Sequence, residues 1–178
     1  RLSVIVDDGG SVQELQDKLY GVAQRSGTSY MDTMQQASKL GLQAGGAFSS
    51  NDEMLQFMEL MNKGFSIAGV SEGDQSAVMD QLGKAMGSGG LQAGGVQTLI
   101  EKAPVLAQSI EDYMYKVQGA QGSLEEWAAQ GQLTAEVLKN AMFTSAGDIN
   151  TQFSQIPLTF AQMGQNLQNV AIKAFEPL

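Results

Sequence analysis

The chain contains no cysteine and no histidine. The first absence rules out disulfides, thiol nucleophiles and cysteine-based zinc sites. The second removes Ser-His-Asp triads and imidazole acid–base chemistry. Positive charge is scarce: 10 Lys and Arg stand against 19 Asp and Glu, a formal charge of -9, so a nucleic-acid backbone would be repelled rather than gripped. Proline is limited to 3 residues and aromatics to 7%. No apolar run approaches the ~20 residues a membrane span requires, and the first residues do not read as a signal peptide. Arg1 in place of Met is what a fragment of a longer chain would show. What remains is an acidic chain of 178 residues, 43% apolar, with 21 Gly and 10 Met. That length suits one domain or two small ones and buries roughly 70% of the unfolded surface.

Helix-start signals recur along it. Ser11 with Glu14 forms a capping box, in which the Ser oxygen accepts the third amide of the helix and the Glu reaches back. Val12, Leu15, Leu19 and Val22 then keep the spacing of one helix face. Ser29 with Asp32 precedes Met34, Ala37 and Leu40. Ser50 with Glu53 precedes Met54, Phe57, Met58, Met61 and Phe65, and Ser71 with Asp74 precedes Val78, Leu82, Ala85 and Met86. Pro104 suits a first helical position and pushes Ala103 out of helical angles; Leu106, Ile110, Tyr113 and Val117 follow on one side. Ser123 with Glu126 caps a short helix carrying Leu124 and Trp127. Thr134 is an N-cap spanned by a Leu133–Leu138 staple, with Val137, Ala141 and Met142 facing inward behind it. Phe160, Met163, Leu167, Val170 and Ala174 form a last, narrow seam of the coiled-coil kind.

Glycine clusters at 41–46, 64–69, 87–95 and 119–122 read as joints, because glycine costs ~1 kcal/mol relative to alanine inside a helix. Gly-Leu-Gln-Ala-Gly-Gly occurs at 41–46 and again at 90–95, but its flanks differ, so it reads as reuse of loop residues rather than a repeat. Leu2–Val6 reads as a lone strand or the end of an upstream helix; without a partner strand the helix end is preferred. The expected fold is all-α: a compact domain of roughly seven to nine short helices joined by Gly-rich loops. Residues 1–10 would be a lead-in, and residues 11–178 the domain.

The motifs that suggest chemistry each fail on their own terms. Gly87-Ser88-Gly89-Gly90 lacks a preceding strand, and around Gly83-Lys84 a phosphate loop would need Gly at Val78 and Ser or Thr at Ala85. Glu125 and Glu126 beside Trp127 resemble a carboxylate in an apolar setting, but neighbouring helix positions diverge, and Glu126 already has a capping task. Asp7-Asp8-Gly9-Gly10 lacks the alternating ligands and closing Glu of a calcium loop. The methionines at 54, 58, 61 and 86 lie on helical faces, as a plastic core would place them. No catalytic, cofactor or metal residues are expected.

The order of several segments resembles the tape-measure domain of phage tail tape measure proteins, those of Gram-positive phages and prophages in particular. The residues that carry the likeness are Arg1-Leu2-Ser3, Ser29-Tyr30-Met31-Asp32-Thr33, Lys39-Leu40-Gly41-Leu42 and Ala47-Phe48-Ser49-Ser50-Asn51-Asp52-Glu53. It continues through Asn62-Lys63-Gly64-Phe65-Ser66-Ile67-Ala68-Gly69, Gln81-Leu82-Gly83-Lys84-Ala85-Met86 and Glu101-Lys102-Ala103-Pro104. Gly131-Gln132-Leu133-Thr134-Ala135-Glu136 and Ile156-Pro157-Leu158-Thr159-Phe160 complete it. The chain departs from the family after Leu91, where Gln92-Ala93-Gly94-Gly95 replaces residues that are usually charged.

The resemblance implies a structural protein without enzyme activity. Such proteins lie inside the growing tail, set its length, scaffold the tube and leave ahead of the DNA. The implied partners are other tape measure copies, tail tube protein, tail assembly chaperones and tail-tip or baseplate proteins. The implied location is the interior of the virion tail, with host cytoplasm during assembly; membrane contact would come only through other parts of the parent protein. Two readings compete: a peptidoglycan-cleaving tail module, and a helical binding module with no phage context. The seam at Phe160, Met163, Leu167, Val170 and Ala174 is the candidate interaction element, to be covered by a partner or by the domain's own helices.

Overall fold

In a computed structural model, which describes residues 12–156, five helices begin at the hydroxyl side chains that the sequence marks as caps. Ser29 accepts the amide of Asp32 at 3.2 Å to open α2 (Tyr30–Ala44), and Ser50 accepts that of Glu53 at 3.1 Å to open α3 (Asn51–Ala68). Ser71 does the same for α4 (Glu72–Gly87), Ser123 for α7 (Leu124–Ala129) and Thr134 for α8 (Ala135–Thr144). Pro104 is the first residue of α6 (Pro104–Asp112). The set of nine α-helices among the described residues is completed by α1 (Val12–Ser26), α5 (Ala93–Lys102) and α9 (Ala146–Ser154). There are no strands among them, only one antiparallel bridge between Gly90 and Thr134. The fold is all-α, as expected. No helix of the described residues is long and apolar enough to cross a membrane. The cap at Ser11, the reading of Leu2–Val6 and the boundary after residue 10 lie outside the described residues.

Ion pairs fix the relative directions of the first four helices. Lys18 meets Asp52 and Arg25 meets Glu59, so α1 and α3 run the same way. Lys39 meets Asp80, and Gln43 lies against Gly87, so α2 and α4 also run together. Helix α3 is the hub. Helices α1, α2, α6, α8 and α9 all pack on it, and it buries eleven residues from Asn51 to Phe65. The methionines expected in the core are there: Met54, Met58, Met61 and Met86 are all buried.

Glycine is where the structure corrects the sequence reading. Gly41, Gly64, Gly94 and Gly95 lie inside helices, not at joints. At Gly64 an added Cβ would come 3.3 Å from Val105 Cγ1, and at Gly87 it would strike the Gln43 carbonyl. These glycines let helices approach closely, and the packing gained offsets the lost helix propensity. True breaks fall at the 3-10 turn Gly45–Ala47, at Gly69, whose φ of 67° closes α3 with its amide on Phe65 and Ser66 carbonyls, after Gly87, and at 119–122, as expected there. The hexapeptide ends a helix at 41–46 and starts one at 90–95, so it is no structural repeat. Val117 also departs from expectation. After Asp112 the chain widens into a π turn (Tyr113–Val117), whose extra residue per turn shifts Val117 off the buried face, and it is exposed.

Candidate functional site

The residues singled out by sequence either take part in helix ends and loops or lie outside the described residues. The seam of Phe160, Met163, Leu167, Val170 and Ala174, like Asp7–Gly10, lies outside the described residues. The Gly87–Gly90 loop is tied down, because the Leu91 amide donates to the Leu133 carbonyl at 2.8 Å. A Cβ on Gly90 would sit 2.6 Å from that same carbonyl, which leaves no space for a phosphate there. Glu125 and Glu126 occupy the exposed first turn of α7, where Glu126 accepts the Ser123 hydroxyl at 3.3 Å. Trp127 is buried beneath them; its indole N–H donates to the Gln121 carbonyl at 3.0 Å, and Tyr115 meets its ring edge-on. No group of three potential metal ligands occurs among the described residues.

A cleft of about 360 Å³ lies between α2 and α4. Ser29, Asp32, Gln36, Lys39 and Gln43 line one wall and Glu72, Gln75 and Ser76 the other, over Leu40 and Met79. Many of these polar groups already serve the fold. Gln36 and Asn62 exchange two amide hydrogen bonds of 3.1 and 3.2 Å, Gln75 donates to the Val70 carbonyl at 2.8 Å, and Ser29 caps α2. Gln43 donates to Asp80 at 3.0 Å, while its Oε1, buried against Gly83, has no partner. Asp80 also binds Lys84 at 2.9 Å and Lys39 at 3.0 Å, and these bonds hold its carboxyl well below the ordinary value.

Two buried lysines dominate the electrostatics. Lys63, 8% exposed, donates to Glu59 at 2.8 Å and to Asn150 Oδ1 at 2.7 Å, with the Phe153 ring 5.6 Å from its nitrogen. Arg25 closes on Glu59 from α1 at 2.8 Å. Burial works to raise the Glu59 pKa, but the bonds from Arg25 and Lys63 outweigh it and the net direction is down. Lys139, 5% exposed, pairs with Glu53 at 2.8 Å and Glu136 at 2.9 Å and lies over Phe48. Burial works to lower its pKa, and the two carboxylates overcome that and raise it. Glu53 is driven down by the Lys139 bond and by the Ser49 amide at 3.0 Å, against the opposing pull of burial. The capping box at Ser50 is therefore modified: Glu53 reaches back to Ser49 and also grips α8.

These ties join helices far apart in sequence, and sequence reasoning did not find them. The available hint was a lysine at core-face spacing, Lys139 beside Leu138 and Met142, and Lys63 between Met61 and Phe65. With each buried charge already neutralised by an opposite one, the arrangement is chemically a set of clamps. The family model described as Tape measure protein matches residues 1–178. No curated protein and no solved structure matches the chain.

Proposed function

The chain belongs to the tape measure protein family, a family of structural proteins of phage tails rather than of enzymes, and from that premise we propose that it acts in the tail as a folded bead on the tape. In this reading it contributes to tail length as a compact unit, scaffolds the tube from its interior and leaves with the tape during DNA ejection. Its partners are other tape measure copies, the tail tube protein, tail assembly chaperones and tail-tip or baseplate proteins. The seam at Phe160, Met163, Leu167, Val170 and Ala174 is the proposed contact with them. Assembly takes place in host cytoplasm, and the finished chain lies inside the tail.

The observation that carries the bead reading is that the helices fold back on one hub. The longest, α3, has 18 residues and spans about 27 Å, whereas residues 12–156 as a single helix would span about 220 Å. Folded compactly, residues 12–156 would have a radius of gyration of about 15 Å. The test is an in-frame duplication of residues 12–156 in the phage, with tail lengths measured by electron microscopy. A bead adds far less than 220 Å, on the order of one folded domain's width or nothing. A step near the full helical length would refute the reading.

A further inference from the structure

We propose that α9 is a latch: it undocks from α3 as a unit while α1–α8 remain folded, and Lys63 holds it shut. Three features of α9 point this way. Of its nine residues only Ile149 is buried, and its N-terminus has no side-chain cap. It is joined to α8 through the single residue Ser145, which ends one helix and begins the next with φ -87° and ψ 2°. Its polar tie to α3 is one neutral acceptor, Asn150 Oδ1, 2.7 Å from Lys63 Nζ, backed by the Phe153 ring.

Electrostatics makes undocking of α9 cheap where undocking of α8 is not. Helix α8 carries the buried cation Lys139, whose carboxylate partner Glu53 belongs to α3, so separating those helices splits an ion pair. When α9 leaves, Lys63 loses a carbonyl and a ring face but keeps Glu59 at 2.8 Å, and Glu59 keeps Arg25. No buried charge is left without its counter-charge, which is the costly outcome elsewhere in the fold. The freed nine residues lengthen from about 14 Å as helix to about 30 Å when extended, so the chain gains reach without losing its core. This inference does not depend on the bead reading, which concerns α1–α8 as much as α9.

Hydrogen exchange on the 178-residue chain tests it. The amides of Ile149 to Ser154 are expected to exchange roughly tenfold or more faster than those of α3 and α8, and without the urea dependence that global unfolding shows. Asn150→Ala, at an exposed position, should speed α9 exchange by a further factor of roughly ten to a hundred, the range for a hydrogen bond to a charged group, and leave α3 and α8 unchanged. Rates and urea dependence in α9 equal to those of α3 would overturn the latch. So would α9 amides with no protection at all. An α9 rate unchanged in Asn150→Ala would overturn the role of Lys63.

Discussion

Lys139→Met removes a buried cation while keeping most of its volume. In the parent chain the ammonium bridges Glu53 of α3 and Glu136 of α8 and covers Phe48. Breaking a fully buried pair costs about 3–5 kcal/mol, because the partner is left charged and dry. Glu53 is less severely placed: its side chain is 27% exposed and it keeps the Ser49 amide and hydroxyl. Glu136, 71% exposed, loses little. The expected net loss is therefore about 2 kcal/mol. In a urea titration with a slope near 2 kcal/mol/M, that lowers the midpoint by about 1 M at unchanged slope. The companion Lys139→Met/Glu53→Gln removes the stranded charge and should recover to within about 1 kcal/mol of the parent. A single variant whose midpoint stays within about 0.2 M of the parent would show the pair behaving like an ordinary surface contact. A double variant less stable than the single one would refute the stranded-charge argument itself.

Gly87→Ala should cost about 2 kcal/mol or more, since the new methyl must displace backbone at Gln43, whereas Gly73→Ala, with open space around it, should gain a few tenths to about 1 kcal/mol; urea midpoints decide both. Stability should be level from about pH 5.5 to 10. It should fall in acid, because Glu53, Glu59 and Asp80 sit below their ordinary values of 4.5, 4.5 and 3.8, so the unfolded chain takes up protons first. Above pH 10.5 the raised Lys139 gives the opposite edge, with its contribution lost as pH passes the folded value; unchanged stability between pH 5 and 3 would refute the acid half. Glu125→Gln and Glu126→Gln should each cost at most about 1 kcal/mol, and a zymogram on cell walls should show no lysis to abolish. Leu167→Asp should leave the monomer folded and abolish self-association or binding to a tail protein if the seam is a partner surface; an unfolded variant would refute that role.

The caps at Ser29, Ser50, Ser71, Ser123 and Thr134 were legible because a cap is chemistry within four residues. Helices α5 and α9 were not, since both start without a side-chain cap and carry glycine in the first turn. A glycine's meaning depends on what lies across from it: Gly64 announces a break in the sequence but marks a close approach in space, and Gly87 does both, ending α4 against the Gln43 backbone. The clamps were hidden for the same reason, as Lys63 finds Asn150 across 87 residues and Lys139 finds Glu53 across 86. The cleft depends on how α2 and α4 lie side by side, which no local pattern encodes. The family likeness, in contrast, lay in the order of segments along the whole chain and needed no structure.

The central position of α3 has a consequence for synthesis. Its side toward the later helices carries Phe57, which meets Phe143 of α8, and Met61 and Phe65, which border Leu106 and Met142. Helix α3 is complete at Ala68, but α8 ends only at Thr144. At about 5–20 residues per second, a ribosome leaves that aromatic and methionine surface uncovered for about 4–15 s. Every copy therefore passes through a sticky half-made state as it emerges, and many copies made together would meet one another in it. A holdase that binds flexible, methionine-rich surface would find its substrate there, before the second half of the chain exists to compete.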